Sequence, residues 1–280
     1  MSLVLPGTPE FTWGASSEDG VRPAAGFGTS VTPGNNTKGS WASVFTGSEI
    51  AYDVWCMTVN IGSGAASAVA KDTIVDIGYD PTGGTSYTVL IPALLGANSS
   101  PYATFGAITY RFPIHVPAGS RIGARASVNN ATVGTLRVYI TVDGRPTHPE
   151  MVWKGTKVEA IGIVSGSSTG TTVTPGTTSE GSWTSLGTVS DRARYWEVGM
   201  GVNDSTMTAN GHHLDLSAGA SGGDVIILTD ALASTTSAEQ QFSSSNGTYR
   251  TVGAGSTIWG RCQCSGTADS NISMAAYAVS

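Results

Sequence analysis

The sequence is short of charge. Lys, Arg, Asp and Glu make up 12% of its 280 residues, and the balance is acidic, 14 cations against 20 carboxylates, for a net charge of −6. A chain so sparse and negative offers no basic patch to neutralise phosphates, which excludes general nucleic-acid binding and adhesion to an anionic membrane surface. Cysteine is nearly absent too. Cys56, Cys262 and Cys264 are an odd number, so they are not a disulfide framework of the secreted kind. The pair in WGRCQCSG reads as two reduced thiols on one face of a strand. No stretch approaches the ~20 apolar residues of a spanning helix. The opening MSLVLPGTPEFTWG lacks the basic segment and the long apolar run of a signal peptide. These absences predict a protein made in a cytoplasm. Runs of Ala, Leu, Glu and Lys, the material of surface helices, are missing as well.

What is present is Gly, Ser and Thr in quantity, with Val, Thr, Ile and Tyr in short bursts between Gly, Ser, Asn and Pro clusters. That is how an all-β sandwich or barrel reads. AYDVWCMTVNI, DTIVDIGYD, YTVLIPALL, ITYRFPIHV, SRIGARASV and TLRVYITV are each bounded by turn residues. They predict antiparallel strands, with a jelly roll as the expected form.

The chain also repeats itself, and a repeat decides the architecture. VTPGNNTKGSW from Val31 returns as VTPGTTSEGSW from Val173. VDIGYDPTGG from Val75 parallels LDLSAGASGG from Leu214, and VLIPALL from Val89 parallels VIILTDALA from Val225. TYR from Thr109 matches TYR from Thr248, and VPAGSRIGAR from Val116 matches VGAGSTIWGR from Val252. The order is kept, so the expected organisation is a tandem duplication: an extended N-terminal arm over 1–24, a first jelly-roll-like domain over 25–145, a linker and bridging strand over 146–165, and a second domain over 166–280. The arm carries Leu3, Val4, Leu5, Phe11 and Trp13, which must be buried either in their own domain or in a partner, and it reads as an attachment arm. In the PAGS turn, Gly119 can supply positive φ. Trp41 and Trp183, in register in the two copies, read as core anchors.

Searching for chemistry yields little. GSSTG from Gly166 matches Gly-x-Ser-x-Gly, but TTVTPG follows where a nucleophile elbow needs a helix. Asp76 and Asp80 lack the remaining ligands of a calcium loop and read as turn residues. His212 and His213 point to opposite strand faces; His213 with Asp215 is the one pairing on a shared face. Glu49, Asp53, Glu197 and Asp204 are carboxylates that could meet in space as a glycosidase pair, though no pattern singles them out. No catalytic residue, metal site or cofactor is expected. Tyr79, Tyr102, Trp153 and Trp196 are aromatics without a clear core position, and are the candidates for stacking on a glycan or contacting a partner.

Asn36–Trp41, Val75–Gly78, Val89–Leu95 and Phe112–Arg125 carry a further pattern, NTKGSW, VDIG, VLIPALL and FPIHVPAGSRIGAR. In these segments the chain resembles a group of bacteriophage virion proteins, tail-fibre or head-fibre components built of jelly-roll-like domains. The second copy departs from the pattern, with Glu180 at the place of Lys38 and Gly253 at that of Pro117. The resemblance implies a non-enzymatic structural protein of the virion, a fibre, spike or decoration component on tail or capsid. It implies assembly in the host cytoplasm and contacts to other virion proteins and to copies of itself. The alternatives are a receptor-binding protein that holds host surface glycan and, behind it, a hydrolase of envelope polysaccharide.

Overall fold

The structure, a computed structural model, describes residues 10–13, 28–47, 49–63, 71–98, 108–129, 135–144, 153–177, 179–202, 210–236, 239–241, 247–266 and 272–280. Leu3, Val4, Leu5, Tyr102 and Asp204 lie outside them. The described residues form strands joined by turns and one turn of 3-10 helix, with no α-helix among them.

In the first half the strands are β1 (Glu10–Trp13), β2 (Thr29–Val31), β3 (Gly34–Asn35), β4 (Ala42–Phe45), β5 (Val54–Ser63), β6 (Lys71–Asp80), β7 (Thr88–Asn98), β8 (Ile108–Phe112), β9 (Arg121–Val128) and β10 (Leu136–Gly144). In the second they are β11 (Val158–Ile161), β12 (Ile163–Val164), β13 (Thr169–Val173), β14 (Thr184–Thr188), β15 (Ala193–Val202), β16 (Asn210–Ala218), β17 (Val225–Thr236), β18 (Glu239–Gln241), β19 (Thr248–Val252), β20 (Thr257–Cys264) and β21 (Ile272–Val279). One sheet of the first half runs β2-β10-β5-β8 and the other β4-β9-β6-β7. The second half repeats this as β13-β21-β15-β19 and β14-β20-β16-β17. Eight strands that pass between two four-stranded sheets in this order make a jelly roll, so the chain is a double jelly-roll sandwich. Pairing between the strands is antiparallel except between β3 and β9, and the isolated bridges Ile114–Gly155 and Gly176–Gln263 are also parallel.

Burial follows the strand period. β10 alternates buried and half-buried residues from Leu136 to Gly144, and β20 does the same from Thr257 to Cys264, as expected of strands with one face on a core. The predicted turns form alike in both copies: Gly119 has φ +78° and donates its N–H to Ile50 O, while Gly255 has φ +80° and donates to Val189 O.

The arm has a counterpart that the sequence hid. β1 lies on β10 with Glu10 opposite Asp143 and Trp13 opposite Ile140. β11 lies on β21 with Val158 opposite Val279 and Ile161 opposite Ala276. EFTW and VEAI have no residue in common in register, yet they fill the same place in the two sheets. The segment KVEAIGIV therefore belongs to the second sandwich, and Gly155 ties the preceding chain to the first by exchanging hydrogen bonds with Pro113 O and His115 N. One sequence match is corrected by register. Phe112 stands opposite Met57 and Thr248 opposite Trp196, so Thr248 takes the place of Phe112, and Tyr249 that of Pro113 rather than Tyr110.

The two sandwiches share a buried seam. The Tyr277 ring packs edge-on against Tyr110 and Phe112, at 5.3 and 6.2 Å between centroids. Its hydroxyl accepts the Leu95 N–H at 2.6 Å and donates to Ala93 O at 3.1 Å, while Tyr110 donates to Leu95 O at 2.7 Å. The Ala93 carbonyl and both backbone groups of Leu95, on the outer edge of β7, are thus satisfied by phenols rather than by another strand. Ser273 donates to Asp72 at 2.5 Å and Ser168 to Ser127 at 3.0 Å. Glycine makes the approach close: a Cβ at Gly199 would lie 2.7 Å from the Tyr110 hydroxyl, and one at Gly201 2.6 Å from Asp72 Oδ1. Covered on both faces, β21 is buried along its whole length.

Candidate functional site

The strongest polar construction occurs twice, on the outer face of the sheet that holds β6 or β16. At Asp76 the β6–β7 register shifts between Val75 and Ile77, and at Asp215 the β16–β17 register shifts between Leu214 and Leu216. Each bulge turns a backbone N–H toward the aspartate: Ala93 donates to Asp76 at 2.9 Å and Asp230 donates to Asp215 at 2.8 Å. Both donors have positive φ, 48° and 54°. The other carboxylate oxygen takes an arginine Nε, from Arg125 at 2.9 Å and from Arg261 at 2.8 Å. A tryptophan then roofs each guanidinium, Trp41 over Arg125 at 4.6 Å and Trp183 over Arg261 at 4.4 Å. Trp41 and Trp183 are therefore not core anchors. They are half-buried lids that shield an ion pair from water and add cation–π attraction.

The copies differ at the fourth member. Lys38 brings its ammonium to 2.8 Å from Asp76, and burial, assisted by neighbouring Arg125, pulls its pKa down against the attraction of Asp76. At the same place Glu180 reaches Arg261 instead. Burial, then the adjacent Asp215 carboxylate, pushes Glu180 up. The carboxylates of Glu180, Asp215 and Asp230 converge within 4.8 Å of one another, the one such group among the described residues. Arg261 already supplies a positive charge to two of them, so the trio reads as an ion-pair ladder.

A second cluster lies at the end of the seam. Tyr249, 64% exposed, stands edge-on to Tyr195 at 5.0 Å and to Trp153 at 6.1 Å, with the Arg194 guanidinium 6.0 Å above Trp153. Beneath them Glu197 is buried at the junction of the two copies. It accepts the Tyr195 hydroxyl at 2.7 Å and the Arg111 N–H at 3.3 Å. Burial pushes its pKa up to about 8, against the pull of these hydrogen bonds. The Cys56 thiol, raised by burial, receives the Arg111 Nε at 3.2 Å.

Of the three aromatic candidates among the described residues, Trp153 alone joins an exposed cluster. Trp196 is fully buried and its indole donates to Arg250 O at 2.9 Å, which removes it from any contact surface. Tyr79 packs half-buried on the core. Tyr249, which sequence reasoning passed over as part of a repeated TYR, is the exposed member. Phe11 and Trp13 sit on β1 opposite Val142 and Ile140.

The remaining motifs resolve into structure. Ser168 in GSSTG is buried, with its hydroxyl on Ser127, and the chain enters β13 rather than a helix. Asp80 accepts the Thr82 hydroxyl and N–H and the Ser86 N–H, which hold its carboxyl below the usual range. That is a turn-forming aspartate. His213 is exposed and meets Asp230 at 3.3 Å rather than Asp215, while His212 is buried beside Cys262. Glu49 is held by Thr46 N, and Asp53 by Ala118 N and His115. With Glu197 in the seam, these carboxylates share no hydrogen-bond partner.

No protein-family model and no curated protein matches the chain. Among solved structures it is similar to PNGF-II, at 8% identity and TM-score 0.35 over 89% of this chain and 64% of that one, and in a second crystal form at 9% and 0.37 over 89% and 61%. It is also similar to the N-terminal CBM22-1-CBM22-2 tandem domain of Paenibacillus barcinonensis Xyn10C, at 10% identity and TM-score 0.29 over 98% of this chain and 92% of that one. The chain spans less than two thirds of PNGF-II.

Proposed function

We propose that this chain is a non-enzymatic structural protein of a bacteriophage virion, a fibre, spike or decoration component of tail or capsid. The reading rests first on the resemblance in NTKGSW, VDIG, VLIPALL and the FPIHVPAGSRIGAR segment. The observation that supports it best is the seam. Tyr277, Tyr110, Phe112 and Leu95 are all fully buried between the two jelly rolls, which joins them through a packed junction. A projecting or surface-lattice protein needs that property, and a lone catalytic domain does not. Leu3, Val4, Leu5, Phe11 and Trp13 serve as the attachment segment in this reading, with Phe11 and Trp13 carried on β1. Gold-labelled antibody on intact particles, viewed by negative-stain electron microscopy, tests it. Label on head or tail supports the proposal, and particles that carry none refute it.

The exposed Tyr249 beside Trp153 favours one second reading, a receptor-binding protein of the same build that stacks these rings on host surface glycan. Binding of the purified chain to host cells, lost in Tyr249→Ala with the unfolding midpoint unchanged, supports it. Undiminished binding by that variant removes the cluster from the reading.

A further inference from the structure

The ring cluster at the end of the seam belongs to one copy only. Register puts Cys56 and Thr58 of the first copy at the places of Tyr195 and Glu197, and Pro113 at that of Tyr249. A jelly roll of this repeat therefore closes without these side chains, and Tyr249, 64% exposed, adds little to the core. Two guanidiniums flank the rings. Arg194 is exposed over Trp153, and the ion pairs among the described residues give it no carboxylate. Arg111, with a side chain 53% exposed, holds Asp143 at a loose 3.6 Å. Its charge also reaches Tyr249: partial burial and the Cys56 sulfur push that phenol up, and Arg111 pulls it back. Glu197 does not cancel these cations, because burial keeps its carboxyl protonated up to about pH 8. Gly247 seals it from above, since a Cβ there would lie 2.6 Å from Glu197 Oε1. In a chain with 14 cations against 20 carboxylates, two guanidiniums beside an exposed ring reverse the local sign.

We propose that this corner binds a saccharide that carries a carboxylate, a uronic or sialic acid residue. The inference rests on the glycan reading given above and adds the charge of the sugar. The Tyr249 ring stands at 66° to Tyr195 and 79° to Trp153, so the rings make a corner rather than a stack. An exposed ring with a polar tip packs the C–H face of a pyranose while its hydroxyl stays wet. A guanidinium beside it offers a planar fork that matches a carboxylate in two parallel hydrogen bonds. A neutral sugar would leave both forks unused, and a small inorganic anion would leave the rings unused. A nucleic acid needs far more than two cations. The corner draws Arg111 from the first copy, Trp153 from the connecting segment, and Arg194, Tyr195 and Tyr249 from the second. It is therefore complete only when the two jelly rolls are docked.

An array of oligosaccharides that contain uronic or sialic acids, printed beside their carboxyl-reduced neutral counterparts, tests the proposal with the full chain. Binding should favour the acidic member of a bound pair at least ~10-fold and weaken as salt is raised. Arg194→Gln should lower that preference several-fold while leaving the urea midpoint unchanged, because the side chain is exposed. Tyr249→Ala should lose binding to both members. Equal binding to acidic and neutral members, or an acid preference that Arg194→Gln leaves intact, overturns this inference and leaves the glycan reading standing. Binding undiminished in Tyr249→Ala, or no binding to any member, overturns both.

Discussion

The two jelly rolls share strand order, turns and the roofed aspartate–arginine pair, yet each uses its sheets differently. In the first, β10 keeps one face half-exposed and alternates accordingly. Its equivalent β21 is covered on both faces and reads ISMAAYAV, with small residues where a partner must approach. The polar unit diverges in the same spirit: two cations flank Asp76, whereas Glu180 and Asp230 crowd Asp215. Duplication has preserved the hydrogen bonds that shape each sandwich and released the positions that decide what each sandwich touches.

The largest expected effect lies in the seam. Tyr277→Ala should cost ~3–5 kcal/mol, because a fully packed ring is lost from a site that glycines cannot refill. Tyr277→Phe should cost ~1–3 kcal/mol, the penalty of leaving the Leu95 N–H unpaired. Leu232→Ala, on β17 where Leu232 faces His213 as Leu95 faces Ile74 but is 54% exposed, should stay within ~0.5 kcal/mol. Urea unfolding measures all three, and equal costs at Tyr277 and Leu232 would abolish the distinction between the edges. Next comes the charge inversion. Asp76→Asn strips two cations of their carboxylate and should destabilise by ~3–5 kcal/mol. Asp215→Asn should cost less than half of that, since Glu180 still holds Arg261 and a repulsion is relieved. Matching losses would mean that the Lys38-to-Glu180 change has no energetic weight.

A further effect is read through pH. Glu197 has a folded pKa near 8 against an ordinary 4.5, so the folded state binds the extra proton. Its contribution is intact below about pH 4.5 and is lost as pH rises through about 8. Wild-type stability should therefore fall between pH 5 and 9 relative to Glu197→Gln, in which that slope is absent. Parallel curves for the two proteins would show that Glu197 is not the group responsible.

Much of this was legible in the sequence, and the failures are specific. Alternation and turn residues gave the sandwich, and PAGS with GAGS gave the turns at Gly119 and Gly255. The sequence shows Asp76 and Asp215 and the repeated Arg125 and Arg261, but not that they pair, since strand order decides which residues become neighbours. Trp41 and Trp183 read as core anchors because an apolar ring that lids an ion pair looks, in sequence, like one that fills a core. The TYR match misled because three letters cannot fix a strand register against the β5 and β15 partners. The seam was invisible for want of any local signal except the unbroken apolar run of β21, a mark of burial on two faces.

That seam has a kinetic consequence. Leu95 and Tyr277 are separated by 182 residues, and Asp72 and Ser273 by 201. Contacts so distant close late, after the loop entropy between them has been met. A first sandwich formed before β21 is in place would expose the β7 edge, so the seam would make the yield of folded chain sensitive to how soon β21 arrives.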